Sequence, residues 1–349
     1  MPDARPASLS RASIVFGGLA VLICVAAALG LSTGAIQVSP ADILGTLGLA
    51  ESPTDATTVA VIRDLRLPRV LLALLVGASL ACAGATMQGL FRNPLADPGL
   101  VGVASGAALA AVATIVGSQF IALPGPWLPF TTPLAAFGGG LIAAALAERL
   151  ASSAGYSRSS TLLLAGLAIN AIAGAGIGLL TQLAGDAALR EAIFWLFGSL
   201  SKSGWTELSV AGPLLVAVLI LLPRDARALN ALLLGESEAL HLGVNVEALR
   251  RRLTLLIVVA VATCVALTGI IGFVGLIVPH LLRLTLGPDH RLLIPASALG
   301  GAALLAFADL ASRTMLAPAE TPIGILTALI GGPFFLALLI HLRGRAEAW

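Results

Sequence analysis

Residues 68–88 read PRVLLALLVGASLACAGATMQ, a stretch in which no charged side chain follows Arg69. A helix rises about 1.5 Å per residue and the hydrocarbon core of a bilayer is about 30 Å thick, so about 20 apolar residues cross it. The stretch therefore predicts a membrane-spanning helix. The same criterion predicts further crossings at residues 13–33, 99–118, 131–150, 161–183, 206–223, 253–269, 271–286, 292–313 and 322–342.

The composition of the whole chain agrees with this interpretation. Its 349 residues are 58% hydrophobic and 11% charged, with a mean hydropathy of +1.00. A soluble domain is about 45–50% apolar and about 25% charged. Because so few charges cannot cover a water-facing surface, the composition excludes a soluble enzyme, a nucleic-acid-binding module and a disordered regulator. We expect an all-α integral membrane protein with about ten transmembrane helices in a single domain, residues 1–349.

The weakest point of this count is the apolar run over residues 253–286, which is too long for one crossing. Gly269, Gly272 and Gly275 make a break plausible there, because glycine interrupts a helix at little steric cost. The sequence thus predicts two helices in this run, the second of them short.

The sequence shows no motif that would power transport within this chain. Its one lysine, Lys202, lies in LSKS at 200–203, and a phosphate-binding Walker A loop needs a Gly-Lys-Ser/Thr step. The three cysteines lie in apolar runs without metal-ligand spacing. The predicted helices carry no series of Asp, Glu and His of the kind a proton relay needs, which counts against a stand-alone secondary transporter. We expect no catalytic residue, metal site or bound cofactor, and an energy source in a partner.

Orientation follows from the distribution of basic residues. With the N-terminus inside, 14 of the 20 Lys and Arg residues fall on the cytoplasmic side and 6 outside. Cytoplasmic loops of membrane proteins carry the excess of Lys and Arg. The sequence therefore predicts that both termini are cytoplasmic.

One polar segment, residues 224–252, interrupts the predicted crossings on the cytoplasmic side. Its leucines predict short amphipathic helices that break at Gly235 and Gly243. Surface helices that bind anionic lipid are usually strongly basic, whereas this segment contains Glu236, Glu238 and Glu247. A protein partner is therefore the better interpretation.

Arg66 and Arg69 flank Pro68 at the outer start of the second crossing. Positive charge at a helix N-terminus opposes the helix dipole, so these side chains are predicted to meet an acidic group outside. Asp309 and Arg313 are four residues apart on the ninth crossing and are predicted to pair.

Several long motifs resemble the FecCD family, the permease subunits of type II ABC importers for iron chelates and cobalamin. The resemblance covers roughly residues 60–342. It is carried by RLPR at 66–69, MQGLFRNPLADPG at 87–99, LLAG at 163–166, GFVGLIVPHLLR at 272–283 and GGPFF at 331–335. It implies the type II importer permease fold in a bacterial inner membrane, with two copies of the chain forming a homodimer around the pathway.

The resemblance also implies partners and assigns residues to them. Two ATP-binding subunits, which use ATP and Mg²⁺, would dock on residues 229–243, at Leu233, Gly235, Glu236, Ala239, Leu242 and Gly243. A periplasmic substrate-binding protein would dock by placing its own acidic groups against Arg66, Arg69 and Arg313 of this chain. The cytoplasmic gate would consist of Ser159, Ser160 and Thr161.

The cargo is less sharply indicated. The motif at 93–100 and the Leu189-Arg190-Glu191 step look most like the haem branch of the family. Arg190 is predicted either to pair with a haem propionate or to form a structural pair with Asp186. Met87 and Gln88 are also assigned to the pathway. Haem is the expected cargo, a ferric siderophore the alternative, and cobalamin a more distant one.

Overall fold

The computed structural model describes residues 5–34, 36–49, 55–121, 125, 128–152 and 158–346, and these residues form helices joined by turns. The first eight helices are α1 (Arg5–Ser32), α2 (Pro40–Thr46), α3 (Ala56–Ala60), α4 (Leu67–Leu90), α5 (Val103–Gly117), α6 (Leu128–Ser152), α7 (Arg158–Leu183) and α8 (Asp186–Leu196). The others are α9 (Trp205–Leu221), α10 (Ala226–Leu233), α11 (Glu236–His241), α12 (Val246–Thr268), α13 (Val274–Leu286), α14 (His290–Thr314) and α15 (Ile323–Ala346). A π-helical turn at Val61–Arg66 leads into α4.

The predicted crossings coincide with apolar helices of the structure. In the described part of the chain, seven helical stretches are long and apolar enough to span a membrane: Arg11–Ser32, Ala56–Leu90, Leu128–Ala151, Thr161–Leu183, Trp205–Leu233, Val246–Thr268 and His290–Thr314. Three shorter apolar helices, Val103–Gly117, Val274–Leu286 and Ile323–Leu338, match the remaining predicted crossings. The all-α membrane fold class is confirmed.

Helix α4 is the centre of the bundle. Its membrane window is 83% buried, whereas the windows of α1 and α7 are 17% and 22% buried. A Cβ at Gly77 would collide with the carbonyl of Gly301 on α14, and one at Gly84 would collide with the carbonyl of Gly275 on α13. Lipid gives helices little hydrophobic drive to associate, so such close backbone contacts are what holds them together.

The small residues of α7 behave differently. Among the described residues, nothing lies within 4 Å of a Cβ built on Gly174 or Gly178, in contrast to the glycines of α4. Gly174 and Gly178 share an outward-facing, exposed stripe with Ala171 and Ala175, at helical spacing i, i+3, i+4 and i+7.

The predicted break in the 253–286 run is confirmed. Helix α12 ends at Thr268, Gly269 has a φ of 71°, and α13 begins after Phe273, which has a φ of 69°. The segments around the break are bonded to one another through their backbones. The Ser199 amide donates to the Thr268 carbonyl at 2.7 Å, and the Ile323 amide donates to the Gly198 carbonyl at 2.8 Å. The first bond fastens the segment after α8 to the end of α12, and the second fastens the start of α15 to that same segment.

Candidate functional site

Helices α10 and α11 lie together at one end of the bundle. They are separated at Gly235, whose φ of 130° only glycine adopts readily, and the pair ends at Gly243 with a φ of 82°. Leu229, Leu232 and Ala239 are buried and anchor the pair. The predicted short helices with breaks at these two glycines are confirmed.

The opposite face of this pair is apolar and exposed. Leu233, Leu234, Leu240 and Leu242 leave 39%, 68%, 60% and 63% of their surface uncovered. The sequence assigned Leu233 and Leu242 to this face but missed Leu234 and Leu240, which a helical projection against the buried leucines would have found. We refer to these four residues as the leucine patch.

Glu236 is held in place by side chains on the first turns of α12. Its carboxylate accepts a hydrogen bond from the Arg250 guanidinium at 2.8 Å, and Glu247 lies 3.8 Å from the same group. Glu236 is half exposed and Arg250 is 15% exposed, so the pair orients α11 on α12 and adds little stability, because ion pairs near the surface are typically worth about 0–1 kcal/mol.

At the other end of the bundle, the predicted docking arginines point into the protein. Arg66 is only 6% exposed, and its guanidinium donates to the carbonyls of Leu31 and Ser32 at 2.6 and 2.9 Å and to that of Ile36. These carbonyls lie at or just beyond the C-terminal end of α1, where the helix dipole favours a cation. The positive charge at the start of α4 is thus compensated within the chain.

Arg69 and Arg313 share a buried carboxylate. Arg69 lies 2.9 Å from Asp309 and 2.8 Å from Glu320, and Arg313 lies 3.2 Å from Asp309, so the predicted Asp309–Arg313 pair is confirmed. Asp309 and Glu320 thus give Arg69 acidic partners within the chain, whereas Arg66 is bonded to backbone carbonyls, so neither arginine needs the acidic group outside that was predicted for it. A docking role for Arg66, Arg69 and Arg313 stays a prediction.

A cavity of about 680 Å³ opens between the start of α6, helix α8, residues 199–202 and the end of α12. Arg190, Phe194, Trp195 and Lys202 are among its lining residues. Lys202 is held by Glu191 at 2.8 Å. The volume falls within the range of about 300–1,000 Å³ that is usual for ligand pockets, and a few polar groups among apolar walls are typical of them.

Arg190 has an exposed side chain in this cavity. Among the described residues no ion pair joins it to Asp186, so the structural alternative for Arg190 finds no support here. Lys202 and Glu191 compensate each other, so the charged groups that remain in the lining are Arg190 and Glu207.

Met87 and Gln88 lie elsewhere. Both are 2% exposed within the bundle, and Met87 borders a void of only about 10 Å³. The Gln88 amide donates to the carbonyls of Gly275 and Leu276 at 3.4 and 3.3 Å and accepts from Arg283 at 2.8 Å. The structure therefore does not bring the three predicted pathway residues together, and Gln88 instead joins α4 to α13.

The predicted gate falls at the start of α7, and the side chains of Ser159 and Ser160 lie outside the described residues. Thr161 is half-buried there. Among the described residues, no group of three or more His, Cys, Asp and Glu could hold a metal ion.

The model of the FecCD transport family matches residues 20–341. The chain belongs to this family. It is therefore an integral membrane protein and a permease of the metal-chelate type of ABC importer, a transport subunit and not an enzyme.

The relatives of this FecCD protein have different named cargoes. It is 45% identical to the hemin transport system permease protein HmuU of Yersinia pestis, over 95% of this chain and 96% of the relative. It is 46% identical to the cobalamin import system permease protein BtuC of Halobacterium salinarum, over 83% and 76%. It is 40% identical to the Fe(3+)-citrate import system permease protein YfmE of Bacillus subtilis, over 92% and 93%.

A solved structure supports the fold directly. A chain described as a metal-chelate type ABC transporter in an inward-facing conformation has a TM-score of 0.81 and 33% identity, covering 94% of this chain and 99% of the other.

Proposed function

We propose that this FecCD permease moves haem inward across the bacterial inner membrane by alternating access, driven by ATP that a separate subunit hydrolyses. The observation that carries the haem assignment is the cavity of about 680 Å³ with Arg190, Phe194 and Trp195 in its lining. Haem is a flat apolar ring with two carboxylates, so it suits aromatic walls and a guanidinium that forms no ion pair with any of the described residues. The 45% identity to a hemin transport permease agrees with this.

The leucine patch supports a site for the ATP-binding subunits. Large apolar side chains exposed on a short helix fit a hydrophobic groove of a protein partner. Glu236 and the breaks at Gly235 and Gly243 shape the same surface, and the buried Ala239 anchors α11 beneath it. In this proposal ATP and Mg²⁺ bind to the partner, and residues 229–243 receive its motion on the cytoplasmic side, where both termini also lie.

The outer end would receive the periplasmic substrate-binding protein. Arg69 is the most suitable contact of the three arginines, because Glu320 leaves 33% of its side chain exposed and can give way to an incoming carboxylate. Arg66 and Arg313 would act mainly by holding this end of α4 and α14 in place.

The second copy of the chain would lie against α7. The exposed stripe of Ala171, Gly174, Ala175 and Gly178 lets a helix backbone approach closely, as small residues do in membrane interfaces. The gate at Ser159, Ser160 and Thr161 would then stand near the axis between the two copies, at the cytoplasmic end of this helix.

The test is ATP-driven uptake into proteoliposomes that contain the assembled transporter, with haem, ferric citrate and cobalamin compared in parallel. We expect haem alone to accumulate. The Arg190→Ala variant should slow haem uptake about tenfold, since a charge-assisted hydrogen bond is worth about 1.5–3 kcal/mol. Arg63→Ala is the matched control, because Arg63 is exposed in the turn before α4 and does not line the cavity. Accumulation of ferric citrate or cobalamin instead of haem would refute the cargo.

A further inference from the structure

Asn230 on α10 is bonded to the first turn of α14, about 60 residues further along the chain. Its amide nitrogen donates to the Asp289 carboxylate at 2.6 Å, and its amide oxygen accepts from the backbone N–H of His290 at 2.9 Å. The backbone donor and the carboxylate acceptor fix which end of the amide is which. The same Asp289 oxygen caps α14 by accepting from the Arg291 amide at 2.9 Å.

The side chain of His290 continues the connection inward. It is 1% exposed, and its Nδ1 lies 2.9 Å from the Asn230 oxygen. Because that oxygen can only accept, Nδ1 carries the proton and donates. The other ring nitrogen, Nε2, is buried without a hydrogen-bond partner in the structure.

The imidazole is seated against the end of α4. A Cβ built on Gly89 would overlap His290 Nε2, so only glycine lets the ring lie there. The neighbouring residue, Gln88, is bonded to the Gly275 and Leu276 carbonyls at the start of α13 and to Arg283. A continuous series of contacts therefore runs from α10 through the start of α14 and the end of α4 to α13.

We propose that Asn230 and His290 form the joint that transmits displacement of α10 to α4 and α13. Both are positioning residues that touch neither cargo nor nucleotide. The inference rests on the proposed function, since α10 must be the element that the ATP-binding subunit moves. Buried leucines such as Leu229 hold α10 by non-directional contacts that allow sliding, whereas the three bonds of Asn230 fix both its position and its orientation. Without them α10 can shift while α4 stays in place.

The experiment uses the full transporter in proteoliposomes and the Asn230→Ala variant. Two quantities are measured. The first is the amount of haem accumulated per ATP hydrolysed. The second is the nucleotide-induced change in the distance between two spin labels, one on each copy at Thr206→Cys, with the exposed Cys24 replaced by Ser so that it is not labelled. Thr206 is exposed at the start of α9, at the opposite end from α10. Asn245→Ala is the matched control, because Asn245 caps α12 in the same cytoplasmic segment and is exposed.

We expect Asn230→Ala to keep ATP hydrolysis within about twofold of the parent and to reduce haem moved per ATP at least fivefold, with a smaller distance change. Asn245→Ala should leave both readouts unchanged. Asp289→Asn should also keep coupling, because an amide oxygen still accepts from Asn230 and from Arg291. Combining His290→Ala with Asn230→Ala should add little to either single change, as expected for residues acting as one unit.

A variant with lower thermal stability but an unchanged haem-to-ATP ratio and distance change would overturn the joint and assign Asn230 a purely structural role. If Asn230→Ala does not assemble, Asn230→Ser, which keeps a short hydroxyl, is measured in the same way and judged by the same ratio. If the parent transporter accumulates no haem, the proposed cargo is wrong. The spin-label distance still tests whether Asn230 and His290 transmit the displacement of α10.

Discussion

The bond between Arg69 and Glu320 gives a prediction about docking. The Arg69 guanidinium donates to both Glu320 oxygens, at 2.8 and 3.0 Å, and also to Asp309 at 2.9 Å. Asp309 has a side chain only 2% exposed, whereas that of Glu320 is 33% exposed. A carboxylate arriving from a binding protein would therefore displace Glu320 and leave Asp309 in place.

In the Glu320→Gln variant, residue 320 binds Arg69 more weakly and so competes less with an incoming carboxylate, while Arg69 keeps its bond to the buried Asp309. A hydrogen bond to a charged group is worth about 1.5–3 kcal/mol, and partial exposure reduces this toward the value of about 0–1 kcal/mol for surface pairs. We take about 1 kcal/mol, which corresponds to an affinity for the substrate-binding protein raised about fivefold. The same change should lower the free energy of unfolding by a similar amount.

The assay is titration of the binding protein onto the full transporter in lipid nanodiscs, with calorimetric or optical detection. Glu191→Gln is the control, because Glu191 pairs with Lys202 at the same end of the bundle but at an exposed site. An affinity for Glu320→Gln that equals or falls below that of the parent would refute the competition between Glu320 and the docking protein.

Three further predictions concern packing, protonation and assembly. Gly84→Ala should destabilise the protein by about 1–3 kcal/mol, since its Cβ would meet the Gly275 backbone, while Gly17→Ala on the open face of α1 should not lower the melting temperature, because alanine favours a helix over glycine. Burial raises the pKa of Asp97, in the turn after α4, above its ordinary value of 3.8, so the folded protein loses stability as the pH rises above 3.8 and the carboxyl group ionises. Asp97→Asn should therefore raise the melting temperature at pH 7 and give a smaller gain near pH 4. Equal gains at both pH values would contradict this. Leu240→Glu in the leucine patch should reduce co-purification of the ATP-binding subunit at least tenfold without changing the melting temperature of the permease, and retention of the subunit would exclude the patch from docking.

The sequence predicted the helices well because membrane spans depend on local properties. In the run over 253–286, Gly269 indicates where the helix breaks. The helix pair on 226–241 is indicated by the spacing of its leucines and by Gly235. Both signals lie within a few residues of the feature they predict. The bilayer thickness then sets the length expected of a membrane-spanning helix.

What the sequence could not show is which distant groups meet. Arg69 finds Asp309 and Glu320 about 240 and 250 residues away, and Asn230 finds His290 across two intervening crossings, so no local pattern connects them. The inward orientation of Met87 and Gln88 was missed for a related reason. Helix α4 is apolar on every side, so its sequence does not distinguish a face toward a pathway from a face toward α13.

The interruption between α12 and α13 has a consequence for electrical insulation. With 13 residues α13 is about 20 Å long, which is less than the hydrocarbon thickness, and it begins beside Gly84, well inside the length of α4. Unwound backbone at residues 269–273 therefore sits at membrane depth, where it attracts water and ions unless protein covers it. Phe273 packs against Gly331 of α15 at this level. We therefore expect this aromatic contact to be part of what shields the unwound backbone from water and small ions.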